Sequence, residues 1–156
     1  MKTLIRRDLC VALLAVAAMD GGGVAGAQTV VSAVSAPAVL SEPQVFPLDR
    51  MPVRTMANGG ESRDVVRGAL ATGEAVSVHE SVLAAGIPPN PQHKIQHSEF
   101  IMVQEGTVEF EHGDKAEKIG PGSVIYVAFG TMHTLKNVGD VPAKYFVIAI
   151  GGDVKK

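Results

Sequence analysis

The sequence predicts an all-β fold, a single sandwich or barrel, and three observations carry that prediction. From Val45 onward, short runs rich in Val, Ile, Phe and Tyr are interrupted by Gly, Pro, Asn or Asp, at roughly the eight- to twelve-residue spacing of antiparallel sandwiches and barrels. No stretch places apolar residues with the 3.6-residue period of an amphipathic helix. The chain has 156 residues, of which 46% are hydrophobic, enough for one domain of ordinary size with its own core.

Taken in order, the apolar runs predict strands at Val65–Ala71, Ala75–Leu83, Phe100–Gln104, Thr107–Glu111, Ala116–Ile119, Ser123–Val127, His133–Asn137 and Lys144–Ile150. The breaks between them carry turn chemistry: Glu105-Gly106, His112-Gly113-Asp114, Gly120-Pro121-Gly122 and Gly139-Asp140. Gly supplies positive φ there, and Asn or Asp hydrogen-bonds its own backbone.

Upstream of the strands the character differs. Residues 1–27 begin with Lys2, Arg6 and Arg7, continue through an apolar run from Leu9 to Met19, and end in Ala25-Gly26-Ala27. That is the order of a secretory signal with a small-x-small cleavage site. The run falls short of the about 20 residues needed to span a bilayer, so it reads as a leader and not a membrane anchor. The mature chain would start at Gln28 in the periplasm or outside the cell. Arg6-Arg7 also fits a twin-arginine leader. Residues 28–44, rich in Ala, Val, Ser and Pro with almost no charge, read as a flexible arm, and residues 45–151 as the folded domain.

Composition excludes several functions. The formal net charge is −2, with five Phe, two Tyr and no Trp, and no basic cluster offers a nucleic-acid footprint. The single cysteine, Cys10, lies inside the leader, so the mature chain has neither a disulfide nor a thiolate nucleophile.

Chemistry concentrates in two stretches, Gly86–Gly106 and Gly122–Asn137. In the first, His93, Glu99 and Gly106 stand at fixed spacing; in the second, Gly122, Gly130, His133 and Asn137 do. Together they resemble the paired motifs of the cupin superfamily. The first motif runs His-x-His, three or four residues, Glu, six residues, Gly; the second runs Gly, five residues, Pro, one residue, Gly, two residues, His, three residues, Asn. Two departures stand out: Ala128 replaces the second motif's proline, and Ile95 replaces the second histidine of His-x-His. The resemblance spans residues 45–151 and implies a double-stranded β-helix, or jelly-roll barrel.

It also implies a metal site made by His93, Glu99 and His133. On a straight strand, His93 and Glu99 would be about 20 Å apart, yet two ligands of one ion each lie about 2 Å from it. A bend is therefore expected at residues 94–98, where Pro88, Pro89 and Pro91 precede a polar stretch. His97, two residues from Glu99, can share its face without a bend and is the fourth candidate ligand. The alternative is that the bend turns His97 to solvent and leaves Ile95 as an apolar wall beside the metal. Two or three imidazoles and one carboxylate suit Fe(II) or Mn(II), with Ni(II) or Zn(II) also fitting. His79 and His112 read as hydrogen-bonded surface or core residues, Asn137 as a turn stabiliser, and Met102 and Met132 as core filler.

The resemblance further implies a small metalloenzyme of dioxygenase, lyase or isomerase type acting on a compact oxygenated molecule. Its rival is a ligand-binding barrel whose metal is structural or absent. No residue beyond the ligands is singled out as catalytic. Exposed strand edges lead to the expectation of a homodimer.

Overall fold

The computed structural model describes residues 39–154; the leader at 1–27 and most of the predicted arm lie outside the described residues. The domain is a double-stranded β-helix of two facing sheets. Its strands are β1 (Val39–Leu40), β2 (Arg54–Thr55), β3 (Glu61–Leu70), β4 (Ala75–Leu83), β5 (His93–Lys94), β6 (Ser98–Glu105), β7 (Val108–His112), β8 (Lys115–Ile119), β9 (Val124–Val127), β10 (Met132–Asn137) and β11 (Ala143–Ile150). A seven-stranded sheet runs β1-β3-β4-β11-β6-β9 with β2 also on β3, and a four-stranded sheet runs β5-β10-β7-β8. All pairings are antiparallel except β1 with β3.

The predicted strand at Ala75–Leu83 has the same limits in the structure, and the other predicted strands differ mainly at their ends. β3 is the larger difference, since it begins at Glu61 and not Val65. Its first residues read as loop because they are polar, but a strand beside a polar cavity has no need of apolar residues on its inner face. A register shift lies between Asp64 and Val66, and a bulge of this kind allows Arg67 to face inward again opposite Ser77. Part of the predicted arm is also paired: Val39 and Leu40 lie beside Ala69 and Leu70, on the free edge of β3.

The core fills the space between the sheets. Leu83, Ile101, Val103, Val108, Phe110, Val127, Leu135 and Tyr145 form one buried cluster, and each large apolar side chain so buried stabilises the fold by roughly 1.5–3 kcal/mol. Met102 and Met132 are not in it, contrary to expectation: they are 45% and 46% exposed. Side chains alternate across a strand, so with Glu99, Ile101 and Val103 pointing inward, Phe100 and Met102 must point outward. They meet Tyr126 and Val124 of edge strand β9, forming an exposed apolar strip.

Asn137 holds a turn, as its position in the second motif suggested. Its Nδ2 donates to the carbonyls of Leu83 (2.9 Å) and Val141 (2.7 Å), and its Oδ1 accepts from Gly139 N–H at 2.9 Å. These bonds tie the end of β10 to the end of β4 and to the approach to β11.

Candidate metal centre

The chain changes sheets at the bend expected between His93 and Glu99. His93 ends up in the smaller sheet, Glu99 in the larger, with Gln96 and His97 forming the bend between them. His93 lies directly opposite His133 in the β5–β10 pairing, and the ring centroids are 4.7 Å apart. Two loop contacts fix the approach to His93: Thr134 Oγ1 donates to the Asn90 carbonyl at 2.7 Å, and Asn58 Nδ2 to the Pro88 carbonyl at 3.0 Å. His93, Glu99 and His133 all line one cavity of about 210 Å³.

The two imidazoles are oriented alike. His93 Nδ1 donates to the Pro91 carbonyl and His133 Nδ1 to the Thr131 carbonyl, each at 3.4 Å. A ring that donates from Nδ1 keeps its lone pair on Nε2, the arrangement that prepares a histidine for a metal. His133 Nε2 lies 3.5 Å from Glu99 Oε2. With both atoms carrying lone pairs, that approach is favourable only if a proton or a cation lies between them. Two donors each about 2.1 Å from one ion would be roughly 3.0–3.4 Å apart, so this pair is already close to ligand spacing. Among the described residues, no group of three or more His, Cys, Asp or Glu is closed around a common point.

His97 neither offers a lone pair to the cavity nor turns to solvent. Its Nε2 donates to Glu99 Oε1 at 2.8 Å and its Nδ1 to Asp153 Oδ1 at 2.6 Å. Carboxylates only accept, so the ring is an imidazolium. Burial alone would push its pKa down, but the hydrogen bonds and charges of Asp153 and Glu99 outweigh burial and raise it. In Glu99 burial pushes the carboxyl up, while a proton on His133 Nε2, where one lies between the two in place of a cation, and the hydrogen bond and charge of His97 hold it below its ordinary value. His97 thus aims the Glu99 carboxylate. Asp153 can reach it because Gly152, at φ +56, lets the last turn lie against the bend: a Cβ there would fall 1.7 Å from the Gln96 carbonyl oxygen.

Two further placements differ from the sequence reading. Ile95 is 3% exposed and belongs to the apolar core, so it does not line the cavity that His93, Glu99 and His133 share; Ile101, Leu135 and Val147 do. His79, read as an ordinary hydrogen-bonded residue, faces the same cavity from β4, where desolvation lowers its pKa and favours the neutral ring. The signal for it was the inward set Ser77, His79, Ser81, polar at period two where a core strand is apolar. His112, by contrast, stacks on Phe110 and pairs through Nε2 with Glu117 Oε1 at 3.0 Å, a surface role as expected. Met56, on the cavity wall, left no sequence signal.

A family model described as "Cupin domain" matches residues 79–149, which include His79, His93, His97, Glu99 and His133. Residues 79–149 thus match the cupin domain family, and the fold around them is the cupin fold. Solved cupin structures have the same fold. An RmlC-like cupin from Methanocaldococcus jannaschii, described as a double-stranded β-helix, is 17% identical over 70% of this chain and 92% of its own, with a TM-score of 0.56. A predicted oxalate decarboxylase from Thermotoga maritima is 18% identical over 69% and 98%, TM-score 0.58. The polyketide cyclase RemF from Streptomyces resistomycificus is 14% identical over 74% and 88%, TM-score 0.57. Identities this low speak for fold alone, and no curated protein sequence matches the chain.

Proposed function

We propose that this cupin is an exported, single-domain metalloenzyme holding one divalent transition metal through His93, His133 and Glu99, and acting on a small oxygenated molecule. The observation that carries the reading is the 3.5 Å approach of His133 Nε2 to Glu99 Oε2 in a cavity also faced by the similarly oriented His93. Two imidazoles and a carboxylate with open positions suit Fe(II) or Mn(II). Bound there, the ion would supply Lewis acidity towards a carbonyl or alkoxide oxygen. The chain's own residues do the rest. His97 and Asp153 hold Glu99 in position, Ile101, Leu135 and Val147 keep the cavity apolar on one side, and the neutral His79 can accept a proton from a substrate within its reach. Enzymes such as a polyketide cyclase among the structural neighbours fit this reading.

A second reading, a ligand-binding barrel with structural or absent metal, is favoured by Ile95, which leaves one fewer imidazole than the family motif provides. Export rests on residues 1–27 alone. Self-association, if it occurs as we propose, would use the apolar strip of Phe100, Met102, Val124 and Tyr126.

Elemental analysis separates the two readings. Protein purified without chelator is expected to carry close to one Fe or Mn per chain, and chelation should lower its melting temperature, since a ligand bound only by the native state stabilises it. Protein that is metal-free as isolated and unchanged by added Fe(II) or Mn(II) would favour the binding barrel.

A further inference from the structure

A second cavity, of about 370 Å³, adjoins the first; Met56, His79 and Glu99 line both. Its size falls in the range of roughly 300–1,000 Å³ typical of small-molecule sites. Part of its wall comes from the inner faces of β3 and β4, which are polar where a barrel core would be apolar. Ser62 faces Ser81, Asp64 faces His79, and Arg67 faces Ser77.

The charges on these walls are almost all matched. Arg54 pairs with Asp64 at 3.2 Å, and His97 bridges Asp153 and Glu99. Arg67, exposed at the cavity mouth, has no carboxylate partner among the described residues. Side chains directly opposed on antiparallel strands have Cβ atoms about 5 Å apart, so the Arg67 guanidinium and the Ser77 hydroxyl can donate to one acceptor. A guanidinium fork matches a carboxylate in a bidentate fashion. His79 lies two residues beyond Ser77 on the same face, about 7 Å further along the strand, on the wall shared with the candidate metal centre.

We propose that this second cavity seats a short carboxylic acid, its carboxylate on Arg67 and Ser77 and its other, oxygenated end reaching past His79 to Glu99. The inference deepens the metal reading and rests on it for the position of the reacting end. The charge balance agrees: a divalent ion at Glu99 would overcompensate that carboxylate, and with Arg67 unmatched the interior becomes positive and favours an anionic substrate. Arg67 at the mouth would both steer the anion in and fix its direction.

Calorimetric titration tests this with acetate, malonate, succinate, glutarate and the neutral succinamide, using wild type and Arg67→Gln, each metal-free and Mn(II)-loaded. At least one dicarboxylate should bind wild type with a Kd below about 1 mM and bind Arg67→Gln at least about tenfold more weakly, while succinamide should not bind. Equal binding to the two proteins, equal binding of succinamide, or no carboxylate binding below about 10 mM would overturn the proposal. Its failure is separable from that of the metal reading. Arg67-dependent binding that persists in metal-free protein leaves the carboxylate seat standing even if no metal is taken up. Mn(II) uptake without Arg67-dependent binding removes the seat alone.

Discussion

Gly106→Ala is expected to destabilise the domain by about 3 kcal/mol or more. Gly106 lies in the turn from β6 to β7 at φ +73, and a Cβ there would come within 2.7 Å of both Ala143 Cα and the Pro142 carbonyl oxygen. The opposing atoms are backbone, and Ala143 is fully buried, so no side chain can rotate away. The turn would have to separate from the start of β11, the central strand between β4 and β6. Gly73→Ala is the control. It shares a positive φ, +101, but nothing lies within 4 Å of its Cβ, so it should show only the conformational cost of roughly 1–2 kcal/mol. Urea denaturation of both variants reads the difference. Equal losses would mean that close approach is not what the motif glycine serves.

His133→Ala should weaken Mn(II) or Fe(II) binding more than about 100-fold, because outer partners of metal ligands already cost 10–100-fold when removed. His133 Nε2 lies 3.5 Å from Glu99 Oε2 in the cavity that both share with His93. Two companions make the result specific. His97→Gln keeps a donor towards Glu99 but loses the charged bridge to Asp153, and should weaken binding by about 10-fold or more. His112→Ala removes a histidine directly opposite His133 in the strand pairing but committed to Glu117, and should leave affinity unchanged. Wild-type affinity in His133→Ala, measured by competition with a metal-sensitive dye, would place the metal elsewhere.

Most of the fold was readable because its strands are long enough to show alternation. β4 runs nine residues, Ala75 to Leu83, between glycine-bearing turns, and both limits could be placed. β1, β2 and β5 have two residues each, too few for any periodicity to appear. Polar Ser62 and Asp64 hid the first residues of β3, because an inward face is expected to be apolar.

The site was legible in its spacing and not in its orientations. Spacing picked out His93, Glu99 and His133, and the structure brings all three to one cavity. The setting of His97 depends on Asp153, which approaches only after the chain has crossed both sheets, and no local pattern announces that partner. Ile95 was misjudged for a related reason. The motif says which residue is replaced, but whether the substitute lines the cavity or joins the core depends on neighbours such as Phe110 and Leu135 from other strands. His79 was discounted as a lone histidine, although its neighbours at period two, Ser77 and Ser81, marked the polar face.

One divalent metal is expected where His93, Glu99 and His133 meet. Anomalous diffraction from a crystal of the protein loaded with Mn(II) under anaerobic conditions tests this most directly. One strong peak per chain is expected between His133 Nε2 and Glu99 Oε2, with His93 Nε2 drawn into the same shell and His97 still bridging Glu99 and Asp153. A peak ligated by His97 or His112 in place of His133, or no peak in the barrel at full Mn(II) saturation, would contradict it.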